Sequence, residues 1–513
     1  MLIPLVLAAQ VLLAGATPSD PDPALLERAR GLLARAPLID THNDLPSMLV
    51  EKYGGDLTRG DLAKVQTELC ADVPRLRQGK VGAQYWSVFV ESSAAATHSS
   101  LHEALREFDV VLRLVASQPA LELAKTADDI ERIHRSSRIA SLIGVEGGHM
   151  IESSPAALRI FFQLGARYLT LTHFQNVDWA DSATDLPVHH GLTKYGERLV
   201  RELNRLGMFV DLSHVSADTM RDVLRVTRAP VLFSHSNAFA VLPRARNVPD
   251  DVLRMLPANG GVIHVNFIRN YVTSGAARDE QARMALRELR TRVTSEEALK
   301  KAFADWERAN PYPGGSVGAM ADHIDHIRKV AGIDHIGVGG DFFDAGTPSM
   351  VAGLEDVTRY PYLFAELLRR GYSDEDVLKI AGRNHLRAMR QMEQVAAQLQ
   401  KSAPVLTTEG TGRAAGGPLT AQGAGSGMNS CSSPGTLGKC PARQSAAARS
   451  IRARELETKF HQMCRSPSSF APPTSIARAG ASASSQTRVP GLKMAIVPAA
   501  KVLPSQRIDP ATT

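Results

Sequence analysis

Short runs of β-branched and other apolar residues recur between residues 37 and 341, and each is followed by a turn signal and a stretch with helical periodicity. Bounded apolar runs of this kind predict buried strands. Eight strands are predicted in this way: Pro37–His42, Gln84–Val90, Ile139–Glu146, Ala166–His173, Met208–His214, Pro230–His235, Gly261–Phe267 and His335–Asp341.

The stretches between and after these strands carry apolar residues at i, i+3 and i+4, which predicts amphipathic helices. The predicted helices are Leu101–Val115, Pro155–Leu164, Lys194–Leu206, Ala217–Val226, Asp250–Leu256, Met320–Ala331, Thr358–Arg370 and Asp374–Gln400. Alternating strands and helices predict an α/β protein with parallel strands. The count of eight favours a closed (β/α)8, TIM-like barrel over an open sheet.

Both ends of the chain depart from this pattern. Leu2–Ala16 is apolar except for Gln10 and too short to span a bilayer, and it ends in Ala-Gly-Ala. Residues 1–16 are therefore predicted to be a secretory signal peptide, with a buried first helix as the alternative. From about Ala397 onward the chain is rich in small and polar residues with few aromatics, so residues 401–513 are predicted to be a disordered, low-complexity tail. This leaves residues 20–400 as the barrel domain.

Composition and charge narrow the class further. The 513 residues are 44% hydrophobic and 22% charged, which is typical of a globular protein and excludes collagen, coiled-coil and multispanning membrane classes. The tail holds 14 Lys and Arg against four Asp and Glu, which leaves 45 positive and 49 negative residues before it. The barrel is thus mildly acidic, and neither a nucleic-acid partner nor a transmembrane span is expected. Only Cys70 lies in the barrel, so no disulfide can form within it.

Potential metal ligands or carboxylates stand at the ends of six of the eight predicted strands. The reactive groups of such barrels lie at the carboxyl ends of the strands. The six ends, in chain order, carry His42 with Asp44, then Glu146, His173, His214, His235 and Asp341. His42 and Asp44 are two residues apart on a segment predicted to be extended, so both side chains should point to the same side.

These residue types predict a two-metal hydrolase. Neutral imidazoles are common zinc ligands at catalytic sites, and one carboxylate can bridge two cations. Five residues supply two incomplete coordination shells that share Glu146, and such shells can hold a bridging hydroxide. They are His42, Asp44, Glu146, His214 and His235. A structural, hydrogen-bonded histidine is the alternative for any one of them, but burying the whole set without metal would be costly.

Seven motifs resemble the membrane (renal) dipeptidase family of zinc peptidases, in order, between about Ala36 and Arg390. They are IDTHNDLP at 39–46, LIGVEGGH at 142–149, RYLTLTH at 167–173, VDLSHVS at 210–216, FSHSNA at 233–238, RNVPDDVL at 246–253 and GVGGDF at 337–342. The resemblance implies two Zn²⁺ per chain, one held by His42 and Asp44, the other by His214 and His235, with Glu146 bridging. It also implies that His173 contacts the substrate and stabilises the tetrahedral intermediate, that Arg246 holds the substrate carboxylate, and that Asp341 transfers protons. A surface arginine paired with Asp250 or Asp251 is the alternative for Arg246.

The chain differs from mammalian members of that family in two respects. Glu91, Gln175, Leu242 and Ser274 stand where their disulfide cysteines would fall, and the last four residues are the polar Pro-Ala-Thr-Thr rather than a hydrophobic anchor signal. A bacterial-type enzyme, secreted or periplasmic and without a lipid anchor, is therefore expected. The oligomeric state is left open, with a homodimer as one option.

The expected function is hydrolysis of the peptide bond of dipeptides by a metal-bridged hydroxide. One alternative is another barrel amidohydrolase that acts on a cyclic amide, lactam or lactone. Such enzymes commonly carry His-x-His on strand one and a modified lysine on strand four, where this chain has His42-x-Asp44 and His173. The other alternative is a non-catalytic binding module on the same barrel, because a fold alone does not fix a function.

Overall fold

The computed structural model describes residues 21–293, 295–310, 315–343 and 349–406. The predicted signal peptide, residues 1–16, lies outside these ranges, and so does the predicted tail from residue 407 onward. Among the described residues, no helix combines the length and the apolar character needed to cross a membrane.

Within the described residues, nine parallel strands form one sheet, and eight of them close into a barrel. The strands are β1 Leu38–Asn43, β2 Val81–Phe89, β3 Leu121–Leu123, β4 Ile139–Glu146, β5 Ala166–Thr170, β6 Phe209–Asp211, β7 Leu232–Phe233, β8 Val262–Val265 and β9 Ile336–Val338. Their order is β2-β1-β9-β8-β7-β6-β5-β4-β3, and pairing of β2 with β4 closes the ring. The predicted (β/α)8 architecture is confirmed. The additional β3, which pairs with the first residues of β4, was not predicted because three residues show no periodicity.

Sixteen α-helices are described, and most of them surround the barrel. They are α1 Pro23–Leu33, α2 Leu45–Tyr53, α3 Val73–Gln78, α4 Ser100–Ser117, α5 Ala127–Arg135, α6 Pro155–Leu164, α7 Lys194–Leu206, α8 Ala217–Val226, α9 Asp250–Leu253, α10 Leu256–Asn259, α11 Ala276–Arg292, α12 Glu296–Ala309, α13 Val317–Ala331, α14 Tyr360–Arg369, α15 Asp374–Leu378 and α16 Asn384–Leu399. A π-helical turn, Lys379–Arg383, joins α15 to α16. The predicted helix Asp250–Leu256 is two short helices, α9 and α10. Helices α11 and α12, which were not predicted, pack on each other through Leu286 and Phe303.

Local sequence signals set the ends of the barrel helices. Ser154, Thr193 and Ser216 accept hydrogen bonds from backbone amides in the first turns of α6, α7 and α8. Gly165 and Gly207 end α6 and α7 in the left-handed conformation that glycine adopts without strain. These boundaries fix the loops between strand and helix, so the residues after each strand are held at one end of the barrel.

Five strands, β5 to β9, end two or three residues earlier than predicted. Strands β5, β6, β7 and β9 end before His173, His214, His235 and Asp341, which therefore lie in the loops that follow. The backbone leaves the extended conformation there, since His214 and Asp341 have φ values of 68° and 60°. Non-glycine residues rarely adopt such angles, and those that do are concentrated at functional sites.

Candidate metal centre and substrate site

All eight predicted site residues converge at the carboxyl end of the barrel, and all are buried. They are His42, Asp44, Glu146, His173, His214, His235, Arg246 and Asp341. Three sets of three have potential ligand atoms that all lie within 4.8 Å of one another: His42, Glu146 and His235; Glu146, His173 and His214; and His42, Asp44 and Asp341. The arrangement brings three carboxylates and four imidazoles into one buried volume.

Glu146 lies at the centre of this group. Its Oε1 is 3.0 Å from Nε2 of His214 and 3.3 Å from Nε2 of His235, whereas its Oε2 is 3.4 Å from Nε2 of His42. Gly147 follows with a φ of 130°, which allows the chain to turn away directly after the carboxylate. The two oxygens of Glu146 thus face different histidines, as a carboxylate that bridges two cations would.

His42 and Asp44 form the second part of the site. Asp44 lies just beyond β1, at the start of α2, so the predicted extended geometry is wrong for this residue. Its Oδ1 nevertheless lies 3.5 Å from His42 Nε2. Both atoms are buried and neither has a hydrogen-bond partner. Because unpaired buried polar atoms are costly, two of them side by side fit a site that a cation completes.

The remaining pair of histidines is held neutral. The Nε2 atoms of His214 and His235 are 2.9 Å apart. Burial lowers the pKa of each ring well below its ordinary value, and the nearby positive charge of Arg246 adds to the effect. Neutral imidazoles keep a free lone pair, which is the form that binds metal.

Two of the carboxyl groups, those of Glu146 and Asp341, have pKa values shifted in the opposite direction. Burial raises the pKa of Glu146 to about 7, with Asp44 and Asp341 contributing, although His42 opposes the shift. Burial likewise raises the pKa of Asp341 to about 6, and Asp44 adds to this. Three acidic groups close together in a buried volume repel one another when they are ionised. Divalent cations would relieve that repulsion, so the electrostatics also fit a metal centre.

Three supporting contacts hold the site residues in place, and the sequence did not reveal them. The Tyr168 hydroxyl lies 2.9 Å from Nδ1 of His42, and Asn266 donates a hydrogen bond of 2.6 Å to Asp341 Oδ2. Tyr168 fits because a Cβ at Gly144, its neighbour across β4 and β5, would lie 1.9 Å from the tyrosine ring. The third contact joins the Ser234 hydroxyl to His235 Nδ1 at 2.8 Å.

Arg246 is buried beside the metal centre rather than exposed. Its Nη1 donates to the Ser236 hydroxyl at 3.3 Å, and its Nη2 donates to the carbonyl oxygen of His235 at 3.2 Å. The guanidinium also lies over the ring of Tyr271, 5.3 Å from its centroid. The surface alternative is wrong, because Asp250 and Asp251 instead pair with other side chains, those of His326 and Arg221 among them.

His173 lies between Glu146 and the aromatic ring of Phe89. Its Nε2 is 3.8 Å from Glu146 Oε1, and its ring centroid is 4.4 Å from that of His214. Phe89 contacts it edge-on with ring centroids 4.8 Å apart. The position suits a contact to a substrate bound beside Glu146, and the distances also allow a ligand role.

A parallel barrel whose strand ends gather histidines and carboxylates in this way is typical of metal-dependent hydrolases. The family model described as membrane dipeptidase (peptidase family M19) matches residues 26–403. The chain therefore belongs to the membrane dipeptidase family of metallopeptidases, as the motifs predicted.

Curated relatives agree with this placement. The chain is 40% identical to "Dipeptidase tcpJ" of Claviceps purpurea (strain 20.1) over 378 residues, which cover 72% of this chain and 80% of that protein. It is 39% identical to "Dipeptidase 3" of Macaca fascicularis over 390 residues, which cover 74% of this chain and 70% of that protein.

Two solved structures share the fold at lower identity. The probable dipeptidase PvdM from Pseudomonas aeruginosa superimposes with a TM-score of 0.63 at 24% identity and covers 73% of this chain and 99% of its own. A metallo peptidase from Rhodobacter sphaeroides, liganded with a phosphinate mimic of the dipeptide L-Ala-D-Ala, superimposes with a TM-score of 0.56 at 22% identity. That match covers 70% of this chain and 99% of the other.

Proposed function

We propose that this protein is a zinc-dependent dipeptidase with two metal ions per chain. The observation that carries the proposal is the position of Glu146, whose two carboxylate oxygens face His42 on one side and His214 and His235 on the other. Membership of the membrane dipeptidase family supports it, as do the names of the relatives.

The donor set suits zinc. His42 and Asp44 would hold one ion, His214 and His235 the other, and Glu146 would bridge the two. Catalytic zinc sites typically have imidazole and carboxylate ligands and keep a coordination position open for water or substrate. When bound, two zinc ions supply Lewis acidity, which polarises a peptide carbonyl and makes water a nucleophile near neutral pH.

Asp341 has the geometry of a general acid–base. Its Oδ2 accepts a hydrogen bond from Asn266, and its Oδ1 lies 3.8 Å from His42 Nε2. One oxygen is therefore held while the other faces the centre of the site. From there the carboxylate can take a proton from the attacking water and deliver it to the leaving amine.

Arg246 and His173 would hold the substrate. A planar guanidinium binds a carboxylate through two parallel hydrogen bonds, which would place the C-terminus of a dipeptide at a set distance from Glu146. The adjacent peptide bond then lies where His173 can donate a hydrogen bond to the oxygen that becomes negatively charged. A substrate with further residues after the scissile bond could not place its terminal carboxylate on Arg246 and that bond beside His173 at the same time.

Carboxylate recognition can be tested by comparing a dipeptide with its C-terminal amide. We expect the zinc-loaded enzyme to hydrolyse the dipeptide and to be poor on the amide, because the amide offers no charge to Arg246. Arg246→Lys should raise KM for the dipeptide markedly and leave zinc content unchanged, since a point charge replaces a fork. Arg221→Lys, at an exposed ion pair, is the matched control and should change neither value.

Equal hydrolysis of dipeptide and amide would contradict carboxylate recognition. Turnover of a lactam in preference to any dipeptide would favour the amidohydrolase alternative instead.

A further inference from the structure

A buried carboxylate, Asp211, ends β6 three residues before His214. Its Oδ2 accepts hydrogen bonds from the hydroxyls of Thr170 and Ser234, both at 2.6 Å. Its Oδ1 accepts from the backbone amides of Ser234 at 2.8 Å and Ser213 at 3.1 Å. Burying an acidic group inside a barrel is costly even when it is hydrogen-bonded, so four directed contacts indicate a role beyond filling space.

Strand register explains how Asp211 reaches the site. Glu146 on β4 pairs with Thr170 on β5, and Thr170 pairs with Asp211 on β6. Asp211 therefore belongs to the same level of the barrel as the central carboxylate of the site. His214 comes three residues after Asp211, and His235 directly follows Ser234, whose hydroxyl contacts Asp211.

Ser234 connects Asp211 to His235. Its hydroxyl has a single proton, and the short contact to Asp211 Oδ2 engages that proton. The hydroxyl oxygen of Ser234 also lies 2.8 Å from Nδ1 of His235. Because its own proton is already engaged, this oxygen accepts the hydrogen bond, and Nδ1 carries the ring proton. The lone pair is then on Nε2, which faces Glu146 Oε1 at 3.3 Å. This is the tautomer that can bind metal.

A second series of hydrogen bonds leads from Ser234 to Arg246. The Ser213 hydroxyl lies 3.3 Å from that of Ser234 and 3.1 Å from that of Ser236. Ser236 in turn accepts the hydrogen bond from Arg246 Nη1. The two branches make the effects of single substitutions separable, since the Ser234 branch contacts a metal ligand and the Ser236 branch contacts the guanidinium.

We propose that Asp211 is a positioning residue that acts through Ser234 to hold His235 in its metal-binding tautomer and orientation. The inference rests on the proposed role of His235 as a zinc ligand. Metal-binding histidines generally depend on the partner of their second ring nitrogen, and loss of that partner typically weakens metal binding by about 10- to 100-fold.

Two substitutions interrupt the path from Asp211 to His235. In Asp211→Asn the side-chain amide can donate to Ser234, whose hydroxyl is then free to donate to Nδ1, and this moves the ring proton to Nε2. We expect zinc affinity to fall by about 10- to 100-fold. Ser234→Ala removes the acceptor of the Nδ1 proton altogether and should weaken zinc binding by at least about tenfold.

Thr170→Val is the matched control. It removes a donor to the same oxygen of Asp211 with little change in shape, but Thr170 makes no hydrogen bond to His235. It should lower the thermal midpoint and leave zinc affinity unchanged. Ser236→Ala, on the other branch, should raise KM for a dipeptide without weakening zinc binding.

The experiment is competition for zinc between the full chain and a chromophoric chelator, with the fold and the thermal midpoint followed by circular dichroism. Weaker zinc binding in Asp211→Asn and Ser234→Ala, with Thr170→Val unchanged, supports the proposal. Unchanged affinity in both, or affinity that falls in all three variants in step with thermal midpoint, overturns it. If Asp211→Asn fails to fold, Ser234→Ala against Thr170→Val decides.

His235→Ala separates this proposal from the proposed function. If that variant binds zinc as tightly as the unaltered chain, the ligand assignment of His235 is wrong. If it binds zinc weakly while Ser234→Ala binds normally, the ligand assignment stands and the role of Asp211 fails.

Discussion

At the scale of single residues, protons and the proposed zinc ions would compete for the same atoms. Before metal binds, Glu146 has a pKa raised to about 7 by burial, so it is largely protonated below that pH. His214 and His235 have lowered pKa values and stay neutral, so they add no competition. If Glu146 bridges the ions as proposed, zinc displaces its proton, and zinc affinity should fall as pH drops below about 7.

This competition can be measured by titrating the metal-free protein with zinc at several pH values. We expect affinity to fall by about tenfold or more for each pH unit below about 7. Proton release on zinc binding in that range would agree with the assignment. Although burial opposes the shift, Tyr168, Glu146 and Asp44 raise the pKa of His42 well above its ordinary value, so His42 should release a proton as well. Affinity that does not change between about pH 7 and pH 5 would show that Glu146 is not a ligand.

Asp341 gives the second prediction at this scale. Asp341→Asn keeps the size and shape of the side chain but removes the carboxyl group, which takes up and releases the proton. Zinc content should be unchanged and turnover should fall by at least about 10²-fold, the lower end of general acid–base contributions. Asp251→Asn, which alters an exposed carboxylate paired with Arg221, is the control and should be neutral. Loss of zinc together with activity would instead make Asp341 a metal ligand.

The sequence indicated the ligand-type residues of the site but not the residues that hold them. His42, Glu146 and His235 could be identified because each stands where an apolar run ends. Tyr168, Asp211 and Asn266 could not, because their roles depend on register between strands that are far apart in sequence. Asp211 lies within the VDLSHVS motif, so a polar residue three positions before His214 was the available signal.

At the scale of secondary structure elements, periodicity predicted the existence of elements better than their ends. Helices α6, α7 and α8 begin and end as predicted, since each has a capping residue, and glycine ends two of them. Strand ends were predicted too late because apolar residues such as Leu171 and Leu212 continue beyond the hydrogen-bonded ladder. These residues remain buried although they lie beyond the ends of the strands.

The first residues after α16 give a prediction about the domain boundary. Val405 donates its backbone amide to Glu202 at 3.0 Å, the Leu406 carbonyl accepts from Arg159 at 2.9 Å, and the Leu406 side chain is buried. A chain ending at Leu406 should therefore keep the activity and thermal midpoint of the full chain. A chain ending at Gln400 should lose stability, by about 1 to 3 kcal/mol, because two partly buried hydrogen bonds and the apolar contacts of Leu406 disappear.

Thermal unfolding of the two truncated chains beside the full chain is the measurement. Loss of folding in the chain that ends at Leu406 would show that residues beyond it belong to the folded domain. Equal thermal midpoints for both truncations would show that residues 401–406 contribute nothing.

At the scale of the whole molecule, the closed barrel brings distant segments to one end. Residues 42 and 341 are almost three hundred positions apart, yet Asp341 donates its backbone amide to the carbonyl oxygen of His42 at 3.1 Å. Because the chain closes β1 against β9, the first and last site residues become neighbours. The site is therefore a property of the complete ring, and a variant that opens the barrel should lose metal binding together with its fold.

The central claim is that Glu146 bridges two zinc ions in a dipeptidase. The most direct measurement is the zinc content of the purified full chain together with its hydrolysis of dipeptides, for the unaltered protein, Glu146→Gln and the control Glu131→Gln on α5. We predict two zinc ions per chain with hydrolysis for the unaltered protein and the control, and fewer than two with no hydrolysis for Glu146→Gln, because a neutral amide is a poor bridge. Two retained zinc ions with normal turnover in Glu146→Gln would contradict the claim.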